Sequence, residues 1–513
     1  MIPNSNNYSI EESKEGFPTI AFVKDGKKIY LHSKFFPSRE EKTLKDKFNP
    51  DKFDTLLVLG VGFGYHLLPL LNIYHKYKKI IILDALKNIE EHIKKNPLTG
   101  FLYQCENIIF ISGKSINNIK YSLSELIDLD VSRGLNVIEH PPSFRIFTDY
   151  YSEIKKIIER IITKKAGNKA TKKAFGMLFL KNIIKNINIQ KNIYPISSFF
   201  NKMNNYPAIV IASGPSLDNY IDTIQKYQNK FFIISADSAL PVLCKYKIKT
   251  DFILSIDPQP FIFEHFIGTD VSSSILILSI SSPPILFLKF TGLLSLNTHP
   301  FSQLINALFP SLIGSIDSKT GTVAGDAINT AHLFGFNTIG LIGLDFSFPK
   351  YSIYAKGTAY YKRFINLHNR FTPVETFFLN YIMQSSKGNK YQNLFTRKTF
   401  INYKESIEEF IKKNTIKKIY NINNIGVPIN LIDIINLDEF IVNYCNTEIN
   451  KSEIIKKLLS VNKKIDSETL QNNLNDILKN NEFLNELLKT SLENDINKNK
   501  IKRIKTLLSG FSS

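Results

Sequence analysis

Between residues 208 and 342 the chain repeats one pattern: a short apolar run, a stop at small or polar residues, then a stretch with helical spacing. The runs are 208–212, 231–235, 252–256, 275–280 and 338–342. None alternates apolar with polar residues, so each needs apolar neighbours on both faces, as strands of a parallel sheet have. The helical stretches include 217–227 and 323–334. Alternation of this kind winds into a mostly parallel sheet with helices on both faces, so the predicted fold class is α/β with a doubly wound centre. Ligands of such sheets bind at the C-terminal ends of the strands. The residues just past each run are therefore the candidate site.

The first run ends in Ser213-Gly214-Pro215-Ser216, with a helix expected from about Leu217. A strand that feeds a helix through such a turn leaves free backbone N–H groups, which with the helix dipole suit a phosphate. Gly214 lets the backbone come close to a ligand, and Pro215 presets φ. The second run leads to Asp237 and Ser238, the third to Asp257 and the last to Asp345. Thr320-Gly321-Thr322, directly before the helix 323–334, is a second candidate anion site with hydroxyls at a helix start. Together they read as a nucleotide-type site. The two turns take phosphate-like groups, Asp237 or Asp257 takes ribose hydroxyls, and Asp345 orients a donor sugar or supports a neighbouring side chain. Carboxylates also suit Mg²⁺ or Mn²⁺, which leaves a divalent ion open. No two of these acids form a close Asp-x-Asp pair, so no dedicated metal site is predicted and no cofactor is required.

A chain of 513 residues is too long for one hydrophobic core. Three regions are predicted: a Rossmann-like domain with a helical linker over 1–195, the central α/β domain over 196–440, and a helical region over 441–513. In the first, residues 20–23 and 28–32 pair as a hairpin across Asp25-Gly26. A buried run at 55–59 then meets Gly60-Val61-Gly62-Phe63-Gly64 and a helix start, and a second run at 79–83 ends at Asp84. That is the outline of a Rossmann unit, whether it binds a nucleotide or keeps the turn for packing. Residues 149–192 read as one or two long helices, with Asn182 and Asn186 among their polar positions. The last region is rich in Lys, Asn and Leu and reads as amphipathic helices.

The net charge of +19 would suit an anionic partner. Lysine is spread along the chain with Asn and Ile, and no compact arginine-rich segment appears, so no nucleic-acid partner is predicted. Cys105, Cys244 and Cys445 are far apart and form neither a zinc spacing nor a disulfide framework, which favours a reducing, cytoplasmic setting. No uninterrupted apolar run reaches about 18 residues, so no membrane span is predicted.

The ordered motifs carry a resemblance. Ser213-Gly214-Pro215-Ser216-Leu217, then Asp237, then residues 250–258 resemble the motility accessory factor (Maf) family. So do Gly321-Thr322-Val323-Ala324, Gly343-Leu344-Asp345, Ala355-Lys356-Gly357-Thr358 and the N-terminal segment 59–66, all in the family's order. The resemblance implies a glycosyltransferase that moves a nonulosonic sugar, of the pseudaminic or legionaminic acid type, from a CMP-activated donor to Ser or Thr of flagellin. The central unit is also similar to bacterial sialyltransferases, on Gly214-Pro215-Ser216, Thr320-Gly321 and Gly343-Leu344-Asp345-Phe346. That likeness implies CMP-sugar binding without an obligatory metal. A further similarity, to archaeal MptE-like pterin diphosphokinases that use ATP, keeps a second enzyme class open.

One departure matters. Many Maf sequences carry a His where this chain has Tyr354. The catalytic base is then open among His368, which follows the basic and aromatic stretch 360–363, and Tyr354, which serves either with a lowered pKa or as a hydrogen-bond donor. Lys356 or Lys319 is placed to stabilise a leaving phosphate. The departure also admits a non-catalytic flagellin-binding factor.

Overall fold

The structure, a computed structural model, describes residues 8–24, 27–127, 133–187, 193–295, 313–316, 319–416, 418–422 and 425–466, with scattered residues up to 479. The predicted Asp25-Gly26 turn and the C-terminal helices past residue 479 lie outside the described residues. The chain forms two compact units, Met1–Ala174 and Phe175–Ser513, and the boundary falls within the helix Thr148–Ile187.

The first unit opens with an antiparallel meander of β1 (Tyr8–Glu12), β2 (Pro18–Lys24) and β3 (Lys27–Tyr30). A parallel sheet follows, of β4 (Thr55–Leu59), β5 (Lys79–Asp84), β6 (Ile108–Ser112) and β7 (Leu135–Glu139), in the order β6-β5-β4-β7. Its two central strands are apolar throughout because both faces are covered. Leu56, Val58, Ile80 and Ile82 join one core, and Leu57, Leu59, Ile81 and Leu83 join another with Tyr151, Ile154 and Ile158. The crossover from β4 to β5 departs from the helix start expected after the glycine turn. It is two 3₁₀ segments, Tyr65–Asn72 and Tyr74–Lys76, rather than an α-helix. Pro69 lies inside the first and removes a donor that an α-helix needs.

Among the described residues, the second unit is built on nine parallel strands: β8 (Ile193–Pro195), β9 (Pro207–Ile211), β10 (Phe232–Ala236), β11 (Phe252–Ser255), β12 (Ile275–Ser279), β13 (Gly292–Ser295), β14 (Thr338–Ile342), β17 (Ile419–Asn421) and β18 (Asp433–Ile434). A small hairpin of β15 (Lys390–Tyr391) and β16 (Leu394–Phe395) stands apart. The order across the sheet is β18-β17-β14-β9-β10-β11-β12-β13-β8. The chain runs outward from β9 through β13, then returns to lay β14 on the other side of β9. The strand order therefore reverses between β9 and β14, and that crevice is where a doubly wound sheet opens for a ligand.

The helix Val323–Phe334 covers one face with Ala327, Ile328, Ala331 and Phe334. Its C-terminal carbonyls, at Leu333 and Phe334, accept from the N–H groups of Asn201 and Met203, just ahead of β9. Its N-terminus therefore lies at the opposite end of the sheet, with the C-terminal ends of the strands. The other face carries Ile209, Ile211 and Ile233 against Ile221, Ile224, Leu243 and Phe440. The first helix of the predicted C-terminal region, Lys451–Val461, joins this unit: Lys451 Nζ sits 2.8 Å from Asp251 Oδ2, and Ile455 is buried.

Candidate functional site

The turns that follow β9, β10, β11 and β14 meet along the C-terminal edge of the large sheet. After β9 the Gly214 N–H donates to the Gly343 carbonyl at 3.0 Å. The Ser216 N–H donates to Asp345 Oδ2 at 2.8 Å. A Cβ on Gly214 would stand 2.4 Å from that Gly343 oxygen and 2.6 Å from Asp345 Oδ2. The glycine is thus demanded by the approach of the chain's own β14 turn, not by a ligand as its sequence context suggests. Pro215–Asn219 is a short 3₁₀ helix, and the α-helix begins only at Ile221, later than expected. One of the N–H groups expected to face a phosphate is already held by Asp345.

The row continues sideways. The Ser238 hydroxyl donates to Ser213 Oγ at 2.9 Å and ties the β10 turn to the β9 turn. The Ser255 hydroxyl donates to Asp237 Oδ2 at 2.8 Å and ties β11 to β10. Asp257 closes the row, its Oδ1 accepting the Gln259 N–H at 2.9 Å. Behind it, Asn182 Nδ2 donates to the Pro258 and Ser281 carbonyls, and Asn186 Nδ2 to those of Ile280 and Ser282. These asparagines are buried braces of the site edge.

Burial sets the acidity of the row. It pushes Asp237 up to about 7, with Asp257 adding a like charge and Ser255 opposing the shift. It pushes Asp345 up to about 6, against the hydrogen bonds from Ser216. Asp257 is half-buried and is also raised, against its Gln259 bonds. Buried carboxyls raised toward neutrality at strand ends make this row a candidate chemical site.

A second layer lies over the first turn. The Ala355 N–H donates to the Ser213 carbonyl at 3.0 Å, and the Lys356 N–H donates to both oxygens of Asp218, at 3.0 and 3.2 Å. The Lys356 side chain is exposed there. Thr358 caps the helix Ala359–Leu367 through the Tyr361 N–H. Tyr354 is stacked on Tyr360 at 4.8 Å, and burial raises its pKa, which leaves hydrogen-bond donation of its two expected roles. His368 is exposed at the end of that helix with Nδ1 on the Ile365 carbonyl. Thr320, Gly321 and Thr322 stand at the same edge of the sheet. Thr322 Oγ1 caps the helix by accepting the Ala324 N–H at 3.2 Å, and Thr320 is buried against Gly325.

Three participants escape a sequence reading. Asp218 lies inside a 3₁₀ helix, and only its partner gives it meaning. Tyr360 faces the charges of Asp237 and Asp257. His265 is buried beneath it, ring to ring at 5.1 Å in a T shape, with no partner on either nitrogen. Nothing in the segment around His265 distinguishes it from a core histidine.

The glycine-rich turn of the first unit is filled differently. Asp84 Oδ2 accepts the N–H groups of Val61 and Gly62 at 2.6 and 3.1 Å, and Oδ1 accepts that of Leu86 at 2.8 Å. His32 Nε2 accepts the Phe63 N–H at 2.8 Å. The donors that a pyrophosphate would use are held by the chain's own side chains, so the turn serves packing.

Comparison with known proteins agrees with this layout. A family model described as 6-hydroxymethylpterin diphosphokinase MptE-like matches residues 181–351. Two uncharacterized proteins of Treponema pallidum (strain Nichols) are 33% identical over 85 residues and 36% identical over 98, or 17% and 19% of this chain. The matches span 40% and 33% of those relatives, less than half of their length. The solved MAf glycosyltransferase from Magnetospirillum magneticum AMB-1 superposes with a TM-score of 0.64 at 12% identity, over 99% of this chain and 87% of that one. This chain has the fold of a Maf glycosyltransferase. The MptE-like segment holds Ser213–Ser216, Asp237, Asp257, Thr320–Thr322 and Asp345, and stops short of Tyr354, Lys356 and His368. Among the described residues, no helix of the chain is long and apolar enough to cross a membrane.

Proposed function

We propose that this chain is a cytoplasmic glycosyltransferase that moves a nonulosonic sugar, of the pseudaminic or legionaminic acid type, from a CMP-activated donor to Ser or Thr of flagellin. The observation that carries the reading is the bonded row Asp345–Ser216, Ser213–Ser238, Ser255–Asp237 and Asp257 at the reversal of strand order. The acceptor hydroxyl oxygen attacks the anomeric carbon, and the bond from that carbon to the CMP phosphate oxygen breaks. The hydroxyl proton passes to Asp257, the carboxylate of the three that is only half-buried and so within reach of a protein substrate. The donor lies along the Ser213–Ser216 turn. Ser213, Asp237 and Ser238 bind it, Thr320, Gly321 and Thr322 flank it, Asp345 fixes the turn, and Lys356 offsets the charge on the leaving phosphate. Tyr354 donates a hydrogen bond. No divalent ion is required.

A second reading is ATP-dependent pyrophosphoryl transfer, favoured by the MptE-like match over 181–351. Titration with CMP and CTP, and with ATP with and without Mg²⁺, separates the two. We expect CMP to stabilise the protein without Mg²⁺ and co-expressed flagellin to gain the mass of the sugar. Asp257→Asn is expected to lower transfer about 100-fold while CMP still binds. Stabilisation by Mg²⁺-ATP alone supports the diphosphokinase reading. CMP binding with no change in flagellin mass supports a non-catalytic flagellin-binding factor.

A further inference from the structure

The first unit assembles a group that no short motif announces. His32, Glu40, His66 and His140 each bring one ligand atom to a common point, all within 4.8 Å of one another. We propose that this is a binding site for a divalent first-row transition ion, zinc foremost. His66, His140 and Glu40 are the ligands, and His32 holds Glu40 in place.

The hydrogen bonds assign these roles. The Phe63 N–H donates to His32 Nε2, so the His32 proton sits on Nδ1 and is donated to Glu40 Oε2 at 2.7 Å. The other carboxylate oxygen, Oε1, accepts the Ser33 N–H at 2.7 Å. Glu40 is fixed from two sides, yet an ionised carboxylate has about four lone-pair sites and keeps some for an ion. Its partner arrangement is the second-sphere support that metal ligands use. His140 shares a hydrogen bond between Nδ1 and Ser143 Oγ at 2.7 Å, which leaves Nε2 as its ligand atom. His66 has no hydrogen-bond partner on either ring nitrogen, although it is 1% exposed. The Gly60 backbone lies beside it without meeting hydrogen-bond geometry.

A buried imidazole with nothing to bond is destabilising, because its nitrogens have given up water and gained no partner. A Leu or Phe would fill the same space without that cost. The neighbours also make room at their own expense: a Cβ on Gly60 would stand 2.5 Å from the Ser143 Cβ, and one on Gly62 would stand 2.3 Å from His32 Nε2. The glycines of this turn thus admit the histidines and serine of the cluster.

The chemistry selects the ion. Two imidazoles and one carboxylate with an open position suit zinc and its first-row neighbours, whereas Mg²⁺ and Ca²⁺ ask for oxygen ligands throughout. Ligand atoms around a tetrahedral zinc are about 3.3 Å apart, from bonds of about 2.0 Å. The cluster must therefore tighten from its present spread. The rings of His66 and His140 are stacked at 4.3 Å and 7° and must turn toward the ion. No hydrogen bond to His66 opposes that turn.

The test uses the full-length chain with any polyhistidine tag removed, stripped with a chelator and dialysed. We expect it to take up one equivalent of Zn²⁺ per chain and to show visible Co²⁺ ligand-field bands. His66→Gln and Glu40→Gln should each weaken Zn²⁺ binding at least about 100-fold, and His32→Gln about 10-fold or more. Asp237→Asn should leave Zn²⁺ binding unchanged, which excludes the carboxylate row as its source. Full Zn²⁺ uptake by His66→Gln and Glu40→Gln overturns the proposal. So do absent Co²⁺ bands together with no stoichiometric Zn²⁺ in the unsubstituted chain, a result that does not depend on how the variants fold.

Discussion

The turns after β4 and β9 look alike in sequence and differ in what fills them. Each follows a buried parallel strand and contains glycine at a tight bend. After β4, Asp84 and His32 take the N–H groups of Val61, Gly62 and Phe63. After β9, Asp345 takes the N–H of Ser216, while serine hydroxyls and two further carboxyls line the edge alongside. A glycine-rich turn therefore fixes the path of the backbone. Whether it receives a ligand depends on which side chains from elsewhere reach its donors first.

The largest expected effect tests that contrast at Asp84. Asp84→Ala strips three buried N–H groups of their acceptor, at about 1–3 kcal/mol each, so we expect a loss of about 4 kcal/mol confined to the first unit. Hydrogen exchange should report it in β4 and β5 and leave β9 and β14 protected. A silent Asp84→Ala would return this turn to ligand binding.

Gly214 comes next. An alanine there must push on the Gly343 backbone oxygen at 2.4 Å, which has little freedom to yield. We expect Gly214→Ala to cost about 3 kcal/mol in the second unit and to misplace Asp345. In the first unit Gly64→Ala meets only side chains, the nearest that of Leu102 at 3.2 Å, though φ is +80°, and we expect about 1–2 kcal/mol for the left-handed conformation. Equal losses would mean that the β14 turn gives way, and the two glycines would then differ in backbone conformation alone.

Asp237 makes the contrast pH-dependent. Its pKa is raised from 3.8 to about 7 in the folded protein, so the native state binds the extra proton. The stability that Asp237 contributes is fullest below pH 4, declines as pH rises from there to about 7, and then levels off. Asp237→Asn removes that decline. We expect the variant to be more stable than the unsubstituted chain at pH 8, by of order 2 kcal/mol, with the advantage gone near pH 4. A constant difference between the two pH values would show that Asp237 is not held protonated.

The sequence makes the large sheet legible because buried parallel strands are continuous apolar runs. Residues 338–342 and the helix 323–334 have the bounds expected of them, and the runs from 208 to 280 shift by at most one residue at either end. Edge strands β8 and β18, of three and two residues, are too short to stand out. The helix expected from Leu217 is delayed because Pro215 starts a 3₁₀ turn. At the site, acids at strand ends are visible one at a time, and their serine partners become meaningful only when neighbouring strands bring them together. The histidine cluster is illegible for the same reason: its members come from four separate turns and helix starts, with no fixed spacing.

The smallest expected effect on stability belongs to His265, and it decides which histidine matters to transfer. His265 is buried against Tyr360, which faces Asp237 and Asp257. Burial lowers its pKa to about 4, with Glu264 opposing and Arg363 assisting, so it is neutral at pH 7. Neither ring nitrogen has a partner, so replacing the ring with an apolar one of similar shape removes an unsatisfied polar group. We expect His265→Phe to change stability by no more than about 0.5 kcal/mol. As a positioning residue that acts through Tyr360, it should still lower transfer about 10-fold, mostly in kcat, with CMP affinity unchanged. The histidine to set against it is His368, which is exposed and bonded to its own helix end. His368→Ala should alter neither stability nor transfer. If His368→Ala abolishes transfer and His265→Phe does not, the base lies on the exposed helix end, and the buried wall beside the carboxylate row is only packing.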